Sequence, residues 1–338
     1  MREKIFDRTE LDDSMNDLKI IREGFSSVIF GQSQLIERVL ITLLTNNHCL
    51  IEGVPGLAKT LTVQTLANIF QLEFTRVQFT PDLLPADITG TMMYDPGQGL
   101  FNPHFGPVFT NILLADEINR APAKVHSALL EAMQEQQVSM GGQSYVLPKP
   151  FMVLATQNPI EYEATYALPE AQLDRFMLKI VIDYPTQIEG REILDASLNN
   201  DAQTVKEKIN INSLNKLCSM VRKIIIDESI RDYILRIMHA SREPSEYGLA
   251  SIAPMIDYGA SPRAATFLAR GAQALAFLNG REYVTPDDIK SLGPDVLRHR
   301  LVTSYEADAA QVTVEELIGM LLQEWGIRGL SDMWKKEI

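Results

Sequence analysis

Residues 53–60 constrain the fold more than any other segment, because a glycine-rich loop lies here between a short apolar run and a helical pattern. The apolar run at 48–52 predicts a buried strand, and the helical pattern begins at Leu61. In a strand–loop–helix of this kind, backbone N–H groups and the N-terminus of the helix close around phosphate groups. The residues predicted to bind a triphosphate are Gly53, Val54, Pro55, Gly56, Leu57, Ala58, Lys59, Thr60 and Leu61.

Two side chains of this loop have specific predicted roles. Lys59 would reach the β and γ phosphates of a nucleotide, and the Thr60 hydroxyl would ligate Mg²⁺. Ala58 occupies a position where the general phosphate-loop pattern has glycine, so the loop departs from that pattern by one methyl group. An ordinary Gly-Pro turn before a helix is the alternative interpretation. The agreement of strand, loop, Lys-Thr pair and helix favours phosphate binding.

Composition narrows the class of protein. The 338 residues are 46% hydrophobic, which predicts a globular chain long enough for two domains. The formal net charge is −13, and no cluster of lysine and arginine is present, which disfavours nucleic-acid binding. The two cysteines and five histidines have no disulfide or metal-ligand spacing. With no apolar run of membrane-spanning length, the sequence predicts a cytoplasmic protein.

Hydrophobic periodicity predicts an α/β class. Strands are predicted at 48–52, 74–79, 111–115, 151–156 and 177–182, with helices at 60–70, 122–136 and 170–175. The central strands are nearly continuous apolar runs, which is typical of parallel strands covered on both faces. Two helices separated by a turn near 29–32 are predicted before the first strand.

After about residue 188 the strand pattern ends and helical periodicity predominates. Helices are predicted at 188–198, 203–223, 229–241, 262–279, 286–298 and 314–327. We therefore expect a domain over 1–187, containing the sheet, and an all-helical domain over 188–338.

An acidic pair follows the predicted strand 111–115. Asp116 and Glu117 would lie at the carboxyl end of a buried strand, which is where ligands bind in parallel sheets. Asp116 is predicted to hold Mg²⁺, and Glu117 to polarise the water that attacks the γ phosphate. A solvated strand end is the alternative interpretation.

The phosphate loop and the segment from Leu114 to Pro122 together resemble the MoxR family of the AAA+ superfamily. Ala58, unusual against the general pattern, is similar to what members of this family have at that position. The resemblance implies a three-layer P-loop NTPase core with a parallel five-stranded sheet, followed by a smaller all-α lid domain. It also implies ATP hydrolysis with Mg²⁺, a homo-oligomeric ring expected to be a hexamer, and remodelling of protein clients together with a von Willebrand factor A domain partner.

Further site residues come from the same resemblance. Asn158, in the segment 155–159, resembles the sensor 1 residue, although an asparagine that caps a strand end before proline would give the same pattern. Arg175 matches the arginine finger, which acts on a neighbouring subunit; a local ion pair with Asp174 is the alternative. Arg263 resembles sensor 2, with its action on its own or a neighbouring subunit left open. Phe30 and Gly31 resemble the segment on the adenine side.

Two inserted segments also resemble features of this family. Residues 80–110 are rich in proline, glycine and aromatic residues and resemble the insert within helix 2. Residues 138–147 alternate about a Gly-Gly turn, which predicts a hairpin, and resemble the hairpin before sensor 1. Both are expected to face the ring axis or a client.

Three other functions remain open from the sequence. A magnesium chelatase ATPase subunit shares the helix 2 insert and similar motifs. A scaffold that binds ATP and assembles with little turnover would also need the loop, but it would not need Glu117, Asn158 or Arg175. A DNA motor is disfavoured by the acidic charge.

Overall fold

A computed structural model of the chain describes residues 8–54, 56–158, 166–198 and 205–323. The strands are β1 (Cys49–Glu52), β2 (Phe74–Gln78), β3 (Gly90–Asp95), β4 (Leu100–Phe105), β5 (Ile112–Asp116), β6 (Gln137–Met140), β7 (Gln143–Val146), β8 (Met152–Gln157), β9 (Leu178–Val181), β10 (Ile256–Tyr258) and β11 (Val302–Thr303). The α-helices are α1 (Arg8–Ser26), α2 (Ser33–Leu44), α3 (Lys59–Phe70), α4 (Pro85–Thr89), α5 (Ala123–Glu135), α6 (Glu170–Leu173), α7 (Gln187–Leu198), α8 (Ile211–Lys223), α9 (Glu228–Arg242), α10 (Pro262–Leu278), α11 (Pro286–Leu297), α12 (Tyr305–Ala310) and α13 (Val314–Gln323). Short 3₁₀ helices cover Ile118–Arg120, Pro244–Tyr247 and Ala253–Met255.

The main sheet has five strands in the order β2-β5-β8-β1-β9. The pairs β2–β5, β5–β8 and β8–β1 are parallel, and the inner strands are buried along almost their whole length. The predicted parallel five-stranded sheet is therefore confirmed. Because the carboxyl ends of β5, β8 and β1 lie side by side, the residues that follow these strands meet at one edge.

The chain divides into two compact units. One comprises residues 1–176 and 180–218, and the other comprises 177–179 and 219–338. The boundary expected between 187 and 188 thus falls within the first unit, and the division into domains at that point stays a prediction. Among the described helices, none has both the length and the apolar character that a membrane crossing requires.

Most predicted elements agree with the structure, and two expectations need correction. The helix predicted from 203 begins at Ile211, because Ile209 N–H donates to the Ile69 carbonyl oxygen at 2.7 Å and Asn210 Oδ1 caps the helix by accepting from Ser213 N–H at 2.9 Å. The second unit, expected to be all-helical, also contains the antiparallel pair β10–β11. Strands of three and two residues are too short to show alternation. The end of the helix predicted to 327 lies outside the described residues.

The two inserted segments both contain hairpins. In the first, β3 pairs with β4 from Gly90–Phe105 to Asp95–Leu100. In the second, β6 pairs with β7 around Gly141 and Gly142, as the alternation predicts. The hairpins are in contact, since the rings of Phe105 and Tyr145 lie 5.4 Å apart.

His48 fixes the start of β1 inside the core. Its Nδ1 accepts a hydrogen bond from Val153 N–H at 3.0 Å, so Nε2 carries the proton and donates to the Met133 carbonyl oxygen at 3.2 Å. Burial lowers the pKa of His48 to about 4, against the weaker opposing effect of the Met133 bond. The ring is therefore neutral in the folded chain at pH values where an exposed histidine is charged.

The pH dependence of stability tests this arrangement. Between pH 6.5 and pH 5 the unfolded chain gains a proton at His48 and the native chain does not, so the native state loses stability as pH falls. We expect the free energy of unfolding to fall by about 1.5 kcal/mol more in the wild type than in His48→Gln over this range. Urea titrations at the two pH values measure the difference, and equal losses would contradict the assignment.

Two glycines of the first hairpin provide a matched comparison. Both have positive φ, +94° at Gly90 and +67° at Gly99, but an added Cβ at Gly90 would lie 2.2 Å from the His104 carbonyl oxygen, whereas none of the described atoms lies within 4 Å at Gly99. Gly99→Ala should cost about 1 kcal/mol through its backbone alone. Gly90→Ala should in addition unpair the first residues of β3 from the last residues of β4, which amide hydrogen exchange across the hairpin would detect. Similar exchange in the two variants would contradict this expectation.

Candidate active site

The loop between β1 and α3 has the backbone geometry of an anion site. A side chain at Gly53 would be crowded, since an added Cβ would lie 3.0 Å from the Ile182 carbonyl oxygen. Gly56 and Ala58 both have left-handed backbones, with φ of 87° and 56°. The N-cap residue of α3 is Ala58, whose methyl group cannot accept a hydrogen bond from the first N–H groups of the helix, so these groups receive no side-chain cap from it. Pro55 lies outside the described residues.

Ala58, which departs from the general phosphate-loop pattern, keeps the backbone conformation that a glycine would have at this position. Its conformation, φ 56° and ψ 17°, is one that glycine adopts freely. For alanine this conformation costs about 1 kcal/mol. The backbone is therefore that of the glycine pattern, with the added methyl group tolerated.

One cavity of about 410 Å³ brings the predicted catalytic elements together. It is lined by Gly56, Leu57, Ala58, Lys59, Thr60, Leu61, Arg76, Gln78, Asp116, Glu117, Thr156 and Asn158. The loop, the acidic pair and the asparagine come from β1, β5 and β8, which are adjacent in the sheet. The topology therefore assembles the cavity from segments far apart in sequence.

The Lys59 side chain folds back onto the first residue of the phosphate loop. Its Nζ donates to the Gly53 carbonyl oxygen at 2.6 Å. Burial lowers the pKa of Lys59, and the nearby charges of Asp116 and Glu117 oppose that shift. A phosphate group in the cavity would offer this ammonium a charged acceptor in place of a carbonyl.

Both oxygens of Asp116 accept hydrogen bonds. Oδ1 accepts from the Thr156 hydroxyl at 2.5 Å, and Oδ2 accepts from Arg76 Nε at 3.1 Å and Nη2 at 2.5 Å. The Asp116 side chain is only 16% exposed, whereas that of Arg76 is 50% exposed. The partly buried carboxylate is thus fixed on one side by β8, and on the other by a more exposed arginine from β2.

Glu117 has a left-handed backbone, with φ 55° and ψ 50°. Its Oε2 accepts from Gln78 Nε2 at 2.6 Å and from Arg120 Nη1 at 2.9 Å. Its N–H donates to Thr156 Oγ1 at 2.8 Å. The side chain and the backbone of Glu117 are therefore both held in place.

The donor set at this cavity fits Mg²⁺. Thr60 and Asp116 line the same cavity and offer a hydroxyl and a carboxylate oxygen, which are ligand types that Mg²⁺ takes together with phosphate oxygens and water. The sequence assigned both residues to the metal. A cation here would compete with Arg76 for Asp116 Oδ2.

A second cavity, of about 380 Å³, adjoins the first through residues 56–58 and Leu61. Its remaining lining is mostly apolar: Val28, Ile29, Phe30, Gln32, Pro185, Ile193 and Ala196. Phe30 lines this cavity beside the phosphate loop, and its assignment to the adenine side stays a prediction. Gly31 does not line the cavity but packs on α7, since an added Cβ would lie 2.5 Å from Glu189 Oε1.

Each of the two predicted arginines lies next to or at the end of a helix. Arg175 follows α6 and is half-buried, and it is not among the described residues that line either cavity. Arg263 is the second residue of α10, is exposed, and belongs to the second unit. The roles assigned to these two residues stay predictions.

Four side chains that contact the acidic pair were not predicted from the sequence: Arg76, Gln78, Arg120 and Thr156. Alternation on the predicted strand 74–79 places Arg76 and Gln78 on the same face, and this pattern could have indicated that the two side chains act together. Thr156 is the polar end of an apolar run, and nothing in its spacing showed which partners it would meet.

Comparisons with known proteins identify the family to which the chain belongs. Residues 48–178 match the family described as ATPase family associated with various cellular activities (AAA), and residues 250–319 match the AAA lid domain. The chain is 47% identical to Chaperone MoxR1 of Mycobacterium tuberculosis over 88% of its own length and 78% of that protein. The chain belongs to the MoxR family of AAA+ ATPases. The resemblance stated from the motifs is therefore confirmed.

Two other similar proteins extend the comparison. YeaC of Bacillus subtilis, whose function is uncharacterised, is 40% identical over 88% of this chain and 90% of that protein. A crystal structure of a proposed ATPase from Cytophaga hutchinsonii is 46% identical, with a TM-score of 0.87 over 94% of this chain and 96% of that one. This agreement confirms that the MoxR-type chain has a P-loop NTPase core with a helical lid.

Proposed function

We propose that this MoxR-family protein hydrolyses ATP to ADP and phosphate with Mg²⁺. The observation that carries the proposal is the meeting of Lys59, Asp116, Glu117 and Asn158 at one cavity beside the phosphate loop. The adjoining apolar cavity, which Phe30 lines, would receive the base. Together the two cavities fit a nucleotide with its phosphates on the loop and its base against residues 28–30.

Each residue then has a chemical task. Lys59 would exchange the Gly53 carbonyl for the β and γ phosphates, and Asn158 would orient the γ phosphate or the attacking water. Glu117 would accept hydrogen bonds from that water and polarise it for in-line attack on phosphorus. Thr60 and Asp116 would hold Mg²⁺, which when bound neutralises charge on the phosphates.

Two substitutions separate binding from chemistry. Lys59→Ala should weaken ATP binding by roughly tenfold or more, because it removes a charge-assisted contact to phosphate. Glu117→Gln should bind ATP within about threefold of wild type while turnover falls by roughly 100-fold, because the amide accepts protons poorly. Titration with a fluorescent ATP analogue and steady-state phosphate release measure the two effects. Near wild-type turnover in Glu117→Gln would overturn the proposed general base.

The protein is further proposed to act as a homo-oligomeric ring, expected to be a hexamer. Arg175 is not among the described residues that line the two cavities of its own chain. This supports an action on the nucleotide of a neighbouring subunit. A guanidinium supplied in this way would stabilise charge on the transferring phosphoryl group. Arg263 is proposed to contact nucleotide as sensor 2, in its own or a neighbouring subunit.

Mixing two inactive variants tests the action of Arg175 between subunits. Arg175→Ala and Glu117→Gln should each lose roughly 100-fold or more of the ATPase rate. In a mixed ring, the intact Glu117 of one subunit can face the intact Arg175 of its neighbour, so the mixture should recover a measurable fraction of wild-type activity. A mixture as inactive as its components would contradict an arginine supplied in trans.

The proposed outcome of hydrolysis is remodelling of protein clients, with a von Willebrand factor A domain protein as partner and the cytoplasm as compartment. The inserted hairpins support a client contact, since Tyr94, Phe101 and Phe105 are 56%, 64% and 49% exposed. The rings of Tyr94 and Phe101 pair across the first hairpin at 5.2 Å, and Phe105 joins it to the second. The relation to Chaperone MoxR1 supports remodelling over chelatase activity.

A further inference from the structure

We infer that Thr156 is a positioning residue for the proposed ATP hydrolysis, because one buried hydroxyl holds both members of the acidic pair. This inference rests on the proposed function. Thr156 lies in β8, the strand between β5 and β1, and is 1% exposed. Its Oγ1 lies 2.5 Å from Asp116 Oδ1 and 2.8 Å from the backbone nitrogen of Glu117.

The direction of these hydrogen bonds is fixed by chemistry. The Glu117 N–H can only donate, so the hydroxyl oxygen accepts from it. A hydroxyl has one proton, and Asp116 Oδ1 receives it. The result is a directed chain from Glu117 N–H through Thr156 to Asp116, in which each bond polarises the next.

The bond from Glu117 has a conformational consequence. Glutamate rarely adopts a left-handed backbone, and such conformations persist at functional sites only where surrounding contacts maintain them. Glu117 has φ 55° and ψ 50°, and its N–H points to Thr156 rather than to a strand partner. The hydroxyl therefore stabilises the turn that points the Glu117 carboxylate into the cavity.

The bond to Asp116 orients the other carboxylate. With Oδ1 occupied by Thr156, Asp116 presents Oδ2 to the cavity side, where Arg76 contacts it. A rotation of the carboxylate would break the Thr156 bond and leave a buried hydroxyl without an acceptor, which is costly. Thr156 thus fixes which oxygen is offered to Arg76 or to a cation.

A matched set of variants tests this role. Thr156→Val keeps the shape of the side chain but removes the hydroxyl, whereas Thr156→Ser retains it; Thr156→Ala is a second variant without the hydroxyl and with less bulk. Thr42→Val is the control for loss of a buried hydroxyl away from the acidic pair, since Thr42 Oγ1 donates to the Arg38 carbonyl oxygen of α2 at 2.7 Å and also contacts the Cys49 thiol at the start of β1. The measurements are hydrogen exchange of the Glu117 amide, the Kd for a fluorescent ATP analogue, and kcat.

We expect faster exchange of the Glu117 amide, by about tenfold, in Thr156→Val and Thr156→Ala, with kcat lowered by about tenfold or more and Kd within about threefold. Thr156→Ser should restore both exchange and kcat, and Thr42→Val should change neither. Unchanged exchange in both variants without the hydroxyl, or equal defects in Thr156→Ser and Thr156→Val, would overturn the inference. Exchange requires no turnover, so it tests Thr156 even if the wild type fails to hydrolyse ATP and the proposed function is wrong.

Discussion

The parallel pairing of β5, β8 and β1 is the constraint on which the candidate site depends. Because the three strands point the same way in adjacent positions, the acidic pair, Asn158 and the phosphate loop emerge together at one edge. No single segment contains the site. A shift of register in β8 would move Thr156 away from Asp116 and Glu117 and would disconnect the loop from the carboxylates.

The charged side chains at that edge of the sheet all have hydrogen-bond partners within the chain. Lys59 contacts a loop carbonyl, Asp116 contacts Arg76 and Thr156, and Glu117 contacts Gln78 and Arg120. These contacts differ in burial, and the half-exposed Arg76 can leave more easily than the buried Thr156. The contact from Arg76 of β2 can be exchanged for a ligand, whereas the contacts from Thr156 of β8 are fixed. This combination suits a site that must admit a charged nucleotide and still keep its carboxylates aligned.

Much of this arrangement could be predicted from the sequence, and the reasons are specific. Continuous apolar runs identified the inner strands, and residues 53–60 identified the loop, because both signals are local. Arg76, Gln78 and Thr156 were missed because their roles depend on which strands become neighbours, which spacing along the chain does not reveal. The non-helical residues before Ile211 were missed for the same reason. The Ile209 N–H donates a hydrogen bond to the Ile69 carbonyl oxygen near the C-terminus of α3, which is far away in sequence.

The most direct test of the account is a structure of the protein with Mg²⁺ and a non-hydrolysable ATP analogue. We predict that Lys59 leaves the Gly53 carbonyl for the phosphates and that Arg76 leaves Asp116 Oδ2. We also predict that both Thr156 bonds persist and that the base lies against Phe30. A bound nucleotide with Lys59 still on Gly53, or with Thr156 separated from Asp116 and Glu117, would contradict the account.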